Sequence, residues 1–336
     1  MFDTAIPEEV HTPATCVKED PLLADIELPF VGVFHPLGFS VEIATNCPDV
    51  LEAAEEAWRY GRKSFLEPPV ELRIAVAPGR SRECPPPPVF RRQRKLFSLV
   101  ADAENFMTSD LGQGFGFGWL TDATVQDRAF LRYHFIEGTV LGLLASSYLT
   151  PLHAACVQWN GKGILLCGDS GAGKSSLAYA CARSGWTLIC DDSSYIIRSR
   201  ERRTVVGNPH QIRFRESATR LFPELQGLTI APRPSGKLTI EVATASLPEI
   251  ATAGESYIDY IVFLNRRAPG GSALASLPKE SALRWFEQAL CLGDEEIRTA
   301  QAASLHALLT AEVLELRYRD LDWAVQRLEM LTQERS

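Results

Sequence analysis

The stretch Ile164-Leu165-Leu166-Cys167-Gly168-Asp169-Ser170-Gly171-Ala172-Gly173-Lys174-Ser175 carries an apolar run straight into a G-x-x-x-x-G-K-[ST] loop. The run predicts a buried strand, and Ser176 to Arg183 predicts a helix capped by Gly185. Strand, glycine loop and helix in this order are the context in which the motif binds phosphate. Glycines let backbone N–H groups converge on phosphate oxygens at a helix N-terminus that already carries partial positive charge. The expected nucleotide-binding residues are Gly168, Asp169, Ser170, Gly171, Ala172, Gly173, Lys174, Ser175 and Ser176. Lys174 would bridge the outer phosphates, and the Ser175 hydroxyl would reach Mg²⁺.

Upstream, Leu152 to Trp159 and Lys162 to Cys167 flank Asn160-Gly161, a strong two-residue hairpin signal. With Asn160 and Gly161 at the centre of the turn, Trp159 faces Lys162. Counting outward then sets His153 opposite Gly168, which delivers a histidine to the nucleotide site. Downstream, Trp186 to Cys190 reads as the next strand and ends in Asp191-Asp192. A β-α-β crossover returns that strand parallel to the first, so both carboxylates come to the edge that carries the loop. One aspartate can hold Mg²⁺, while the other accepts a proton from an attacking hydroxyl or orients His153. Tyr195 to Arg198, a charged turn at 200–203 and Val205 to Pro209 suggest another hairpin. Arg213, Arg215 and Lys237 are candidates to meet a phosphoryl group or an acidic substrate.

The 336 residues, 46% hydrophobic and 23% charged, describe a globular chain of two ordinary domains or one large one. Residues 1–125 read as an α/β module with strands over 30–43 and 70–76 and a helix over 49–65. Residues 126–336 form the nucleotide-binding part, entered through a helix over 126–145. A bent or bulged strand is expected at Gly112 to Trp119, and a solvated connection between strands at Arg91 to Lys95. Two helices over 280–292 and 294–309 and a closing helix over 320–331 read as scaffold. A net charge of −8 argues against a nucleic-acid partner. The eight cysteines form no C-x-x-C pair, and Cys156, Cys167, Cys181 and Cys190 fall in apolar elements, which suits a reducing cytoplasm. Neither a secretory signal nor a membrane span is expected.

Together, His153, GDSGAGKS at 168–175, CDD at 190–192 and VGNP at 206–209 resemble the HPr kinase/phosphorylase C-terminal domain, over roughly residues 150–240. The resemblance implies an α/β P-loop core related to phosphoenolpyruvate carboxykinase. It implies an ATP- and Mg²⁺-dependent kinase that phosphorylates a serine on a protein or peptide, and it leaves a homo-oligomer open. By the same resemblance, His153 and Asp191 form the acid/base pair and Asp192 and Ser175 serve the metal. Where the family carries a glycine-rich segment with an essential arginine, this chain has Phe214 to Arg220, so it resembles a divergent relative. An ATP-binding regulatory module and a small-molecule kinase are the alternative readings.

Overall fold

The computed structural model describes residues 26–199, 203–232, 236–247, 250–267, 269–289 and 294–333. The expected absence of a secretory signal falls on residues outside these, as does most of the charged turn at 200–203. The fold is mixed α/β, with three sheets among the described residues. A seven-stranded sheet takes the spatial order Phe30–Phe34, Val41–Thr45, Val70–Ala77, Phe115–Thr121, Phe106–Asp110, Leu96–Val100, Val89–Gln93. Its core-facing residues Ile43, Leu72, Ile74, Met107 and Leu120 pack on Val50, Ala53 and Ala54 of helix Pro48–Trp58 and on Leu131, Phe135 and Leu143 of the helical segment that follows. Among the described residues, no helix is long and apolar enough to cross a membrane.

That helical segment departs from the single helix expected over 126–145. Asp127 leaves helical geometry at ψ 82°, and its carboxylate accepts the Phe130 N–H, which caps a new start. Helix then resumes through a π-helical turn at Leu131–Glu137 into Gly138–Ser147. Strand Phe115–Thr121 is regular rather than bulged and pairs without a break on both sides. Its glycines serve close packing: a Cβ at Gly118 would lie 1.9 Å from Met107 Sδ, and one at Gly116 2.7 Å from Ser109 Oγ. Arg91 to Gln93 lie in an edge strand, and Arg94-Lys95 form the exposed turn that joins it to Leu96–Val100, so the solvated connection expected over 91–95 is confined to its last two residues.

The ten-stranded sheet is built on Glu255–Asn265, which runs parallel to Lys162–Cys167 on one side. On its other side the N-terminal half pairs with Thr204–Gly207 and the C-terminal half with Glu312–Arg317. Alternation along Lys162–Cys167 sorts its side chains between two cores. Ile164 and Leu166 meet Leu177 and Cys181 of helix Lys174–Arg183 and Leu328 of helix Leu321–Gln333. Leu165 and Cys167 join Phe286 of helix Lys279–Ala289 and Leu305 of helix Glu295–Leu308. A three-stranded sheet, Gln211–Phe214, Leu238–Ala243 and Ile230–Pro232, sets Phe214 edge-on to Tyr179.

Gly163 marks a register shift between Lys162–Cys167 and Glu255–Asn265. A Cβ there would lie 2.1 Å from the Tyr257 carbonyl oxygen, a backbone atom that cannot swing away. Gly163→Ala is therefore expected to destabilise the chain by about 1–3 kcal/mol in urea unfolding. An unchanged midpoint would show that the two strands separate freely at this point.

Candidate functional site

The Trp159–Lys162 pairing is as expected, with Asn160 and Gly161 both at positive φ, as a type I′ turn requires. The paired strand begins at Ala155, however, not at Leu152, and its ladder with Lys162–Cys167 ends at Ala155 opposite Leu166. Leu149–Leu152 is a separate strand that pairs with Ser194–Ile197. Strand Thr187–Cys190 pairs antiparallel with Ala155–Trp159, so it runs parallel to Lys162–Cys167 with one antiparallel strand between them. The pairs Cys190 with Cys156 and Ser194 with Leu152 keep one register on either side of a break. His153-Ala154 and Asp191-Asp192-Ser193 cross that break together, and the Ser194 hydroxyl donates to the Ala154 carbonyl at 2.9 Å. His153 thus reaches the carboxylates by this corner and not by a ladder with Gly168.

In the corner, His153 Nδ1 lies 3.5 Å from Asp192 Oδ1, both side chains half-exposed. The family resemblance had paired His153 with Asp191, whose carboxylate is instead buried. Asp191 Oδ2 accepts the Arg213 backbone N–H at 2.8 Å, and the Asp191 carbonyl accepts the Ser175 hydroxyl at 3.3 Å. Burial pushes the Asp191 carboxyl up to about 6, against the pull of the Arg213 N–H and guanidinium. His153 is held below its ordinary 6.5, first by burial and then by the cations Lys174 and Lys237, with Asp192 opposing.

The glycine loop stands beside this corner. Gly168, Gly171 and Gly173 all have positive φ, and Gly173 leads into helix Lys174–Arg183 with no side chain capping its first N–H groups. Lys174 is buried, its Nζ donates to the Gly168 carbonyl at 2.8 Å, and burial lowers its pKa despite Asp192 nearby. Arg215 Nη2 donates to Ser170 Oγ at 2.8 Å, and Trp285 Nε1 to Asp169 Oδ1 at 3.3 Å. Of the three candidate cations, Arg215 is thus on the loop and Lys237 acts on His153. Arg213 gives its guanidinium to Glu241 at 3.0 Å and only its backbone to Asp191. Ser175 and Asp192 carry hard oxygens of the kind Mg²⁺ prefers, and the Ser175 hydroxyl is here engaged by the Asp191 carbonyl. No group of three or more His, Cys, Asp or Glu among the described residues could hold a metal unaided, so a cation here would lean on phosphate oxygens and water.

Sequence reasoning missed Arg266 and Tyr318. The Arg266 guanidinium lies 5.7 Å from the Tyr318 ring centroid, and a Cβ at Gly173 would come within 2.9 Å of Tyr318 Oη. Both residues directly follow strands parallel to Lys162–Cys167 or to its parallel neighbour. Applying the carboxyl-edge rule to every parallel strand would have found them.

Because native Asp191 holds its proton up to a higher pH than the unfolded chain does, stability falls as pH rises from 3.8 through about 6. Asp191→Asn keeps an acceptor for the Arg213 N–H and removes the buried charge. It is expected to raise stability above pH 6 by about 3 kcal/mol at most, with the gain vanishing below pH 3.8. Thermal unfolding across pH tests this, and a gain as large in acid as at pH 8 would contradict it.

Residues 120–207, which contain the corner and the loop, match the family model of the SynChlorMet cassette protein ScmC. The HPr kinase/phosphorylase of Limosilactobacillus reuteri (strain DSM 20016) is 43% identical over 61 residues, 18% of this chain and 19% of the relative. That of Enterococcus faecalis is 37% identical over 100 residues, 28% of this chain and 32% of the relative. The solved Hpr(Ser) kinase/phosphatase from Coxiella burnetii aligns at 14% identity with a TM-score of 0.30, covering 55% of this chain and 99% of that one. This chain spans between about a fifth and a third of the curated relatives it matches, and over those stretches it is distantly homologous to HPr kinase/phosphorylase.

Proposed function

We propose that this protein is an ATP-dependent kinase that transfers the γ-phosphate to a serine-type hydroxyl on a protein or peptide. The observation that carries this reading is the His153–Asp192 pair standing beside the loop that holds Lys174. A loop alone fits any phosphate-handling protein. A histidine oriented by a carboxylate adds a group that can take a proton from a hydroxyl.

When bound, ATP supplies the phosphoryl group and Mg²⁺ spreads positive charge over its phosphates. Lys174 neutralises the outer phosphates, while the uncapped N–H groups behind Gly173 bind their oxygens. Arg215 and Arg266 border the loop and are placed to meet charge that grows during transfer. His153 turns Nδ1 toward Asp192 at 3.5 Å, so a proton carried on Nδ1 would leave the Nε2 lone pair to accept the hydroxyl proton. Ser175 and Asp192 would hold the metal. Asp191 is a positioning residue: through Arg213 it ties the corner to the three-stranded sheet. The distant homology to HPr kinase/phosphorylases supports a kinase-like activity.

Purified protein, labelled ATP and a library of serine-containing peptides test the proposal. Lys174→Ala is expected to lower transfer at least about 100-fold. His153→Ala is expected to lower it about 10²–10⁴-fold while nucleotide binding persists. The acid limb of kcat/KM belongs below pH 6.5, because activity is lost only as His153 takes up its proton. A limb above 6.5, or one that survives in His153→Ala, would remove His153 from the role of base.

A further inference from the structure

The corner has a second side. A cleft of about 990 Å³ runs between the first module and the 193–213 region, at the upper end of the size of small-ligand sites. One lip is the turn His35-Pro36-Leu37-Gly38 and the segment Trp58 to Arg62, and the other is formed by Asn208 to His210 and Thr252 to Glu255. The two lips touch where the Tyr60 ring lies 5.1 Å from that of His210. The cleft borders the corner: Ser193, next to Asp192, and Arg213, whose backbone N–H is held by Asp191, are in its wall.

Its charges are unevenly matched. Glu56 is paired with Arg128, Glu137 with Arg132, and Glu255 is also engaged. Arg132 and Arg213 share Glu241. Arg59 and Arg62 are exposed on the lip, and no carboxylate among the described residues lies within 4.0 Å of either. In a chain of net charge −8 this lip thus presents two cations that no carboxylate of the described residues pairs, beside an exposed aromatic ring, Tyr60, which is 52% accessible. The wall also holds a non-glycine residue in the left-handed region, Leu37 at φ 54°, the kind of strain that gathers at ligand-binding surfaces.

We infer that this cleft is the acceptor groove, and that it takes an extended acidic polypeptide segment whose serine reaches His153 and Asp192. The inference rests on the kinase reading and assigns a role to the first module, which supplies the basic lip that selects the acceptor. Carboxylates flanking the serine would meet Arg59 and Arg62, with the backbone lying along Tyr60 and His210. Nucleotide and acceptor then approach the corner from different sides.

The test uses the full chain and two fluorescein-labelled heptapeptides with a central serine, one flanked by glutamates and the other by lysines. Anisotropy without nucleotide is expected to show the glutamate peptide binding at least ten-fold more tightly. The double variant Arg59→Glu/Arg62→Glu, at two exposed positions, is expected to invert that preference and leave ATP affinity unchanged. Equal binding of the two peptides, binding of neither, or an unaltered preference in the double variant would overturn the groove. Phosphate transfer from labelled ATP is measured in parallel. Charge-selective binding without transfer to either peptide refutes the kinase reading and keeps the groove, whereas transfer with charge-indifferent binding refutes the groove alone.

Discussion

One antiparallel strand slotted between two parallel ones organises this molecule. Ala155–Trp159 lies between Lys162–Cys167 and Thr187–Cys190, and its direction is set by the tight turn at Asn160-Gly161. Since it runs opposite to both neighbours, its beginning lies where they end. The carboxyl ends of the two parallel strands carry the glycine loop and the paired aspartates, and the beginning of the inserted strand carries His153. A longer or looser turn would free the register, and a slip of one residue would exchange the two cores on which these strands rest. Trp159 stacked on Trp186, with ring centroids 5.5 Å apart, secures the opposite end of the same insertion.

Electrostatics then makes the edge an expensive place to leave unfilled. Lys174 is buried with a carbonyl as its hydrogen-bond partner, and burial raises the Asp191 carboxyl, so each of these charges is held where its ionised form is disfavoured. Such an arrangement gains from a ligand that brings the complementary charge, because the polar groups are already oriented. A chain of contacts also ties this edge to the helical segment that packs on the seven-stranded sheet. Arg132, on the π-helical turn, reaches Glu241, Glu241 holds Arg213, and Arg213 gives its N–H to Asp191. π-Helical turns occur often at functional sites, and this one places Arg132 and Glu137 in the cleft wall beside Arg213.

Local signals in the sequence reached far in the second half of the chain and less far in the first. The hairpin at Asn160-Gly161, the loop between strand and helix and the direction of Thr187–Cys190 all follow from rules spanning fewer than about forty residues. His153 needed more, because its position depends on two strand pairs bending together, and the residues across from it are some forty positions away. The Gly112 to Trp119 segment misled for a related reason. Glycine in a strand signals either a bulge or a close neighbour, and the neighbour, Met107, is chosen by tertiary packing. Asp127 was legible as a helix cap only once Phe130 was known to be its partner, and the acidic Glu241 gave no hint that it would occupy Arg213.

The pair of aspartates illustrates how a local rule can be right in form and still leave the roles undecided. Adjacent residues of a strand face different sides, and Asp191 and Asp192, in the bend just past Cys190, also diverge. Which carboxylate met His153 depended on the corner. Asp192 faces His153 and acts on Lys174, on the side of the loop, whereas Asp191 faces Arg213, on the side of the cleft. The half-exposed carboxylate thus faces solvent and His153, and the buried one is held by a backbone N–H that does not move with side-chain rotation.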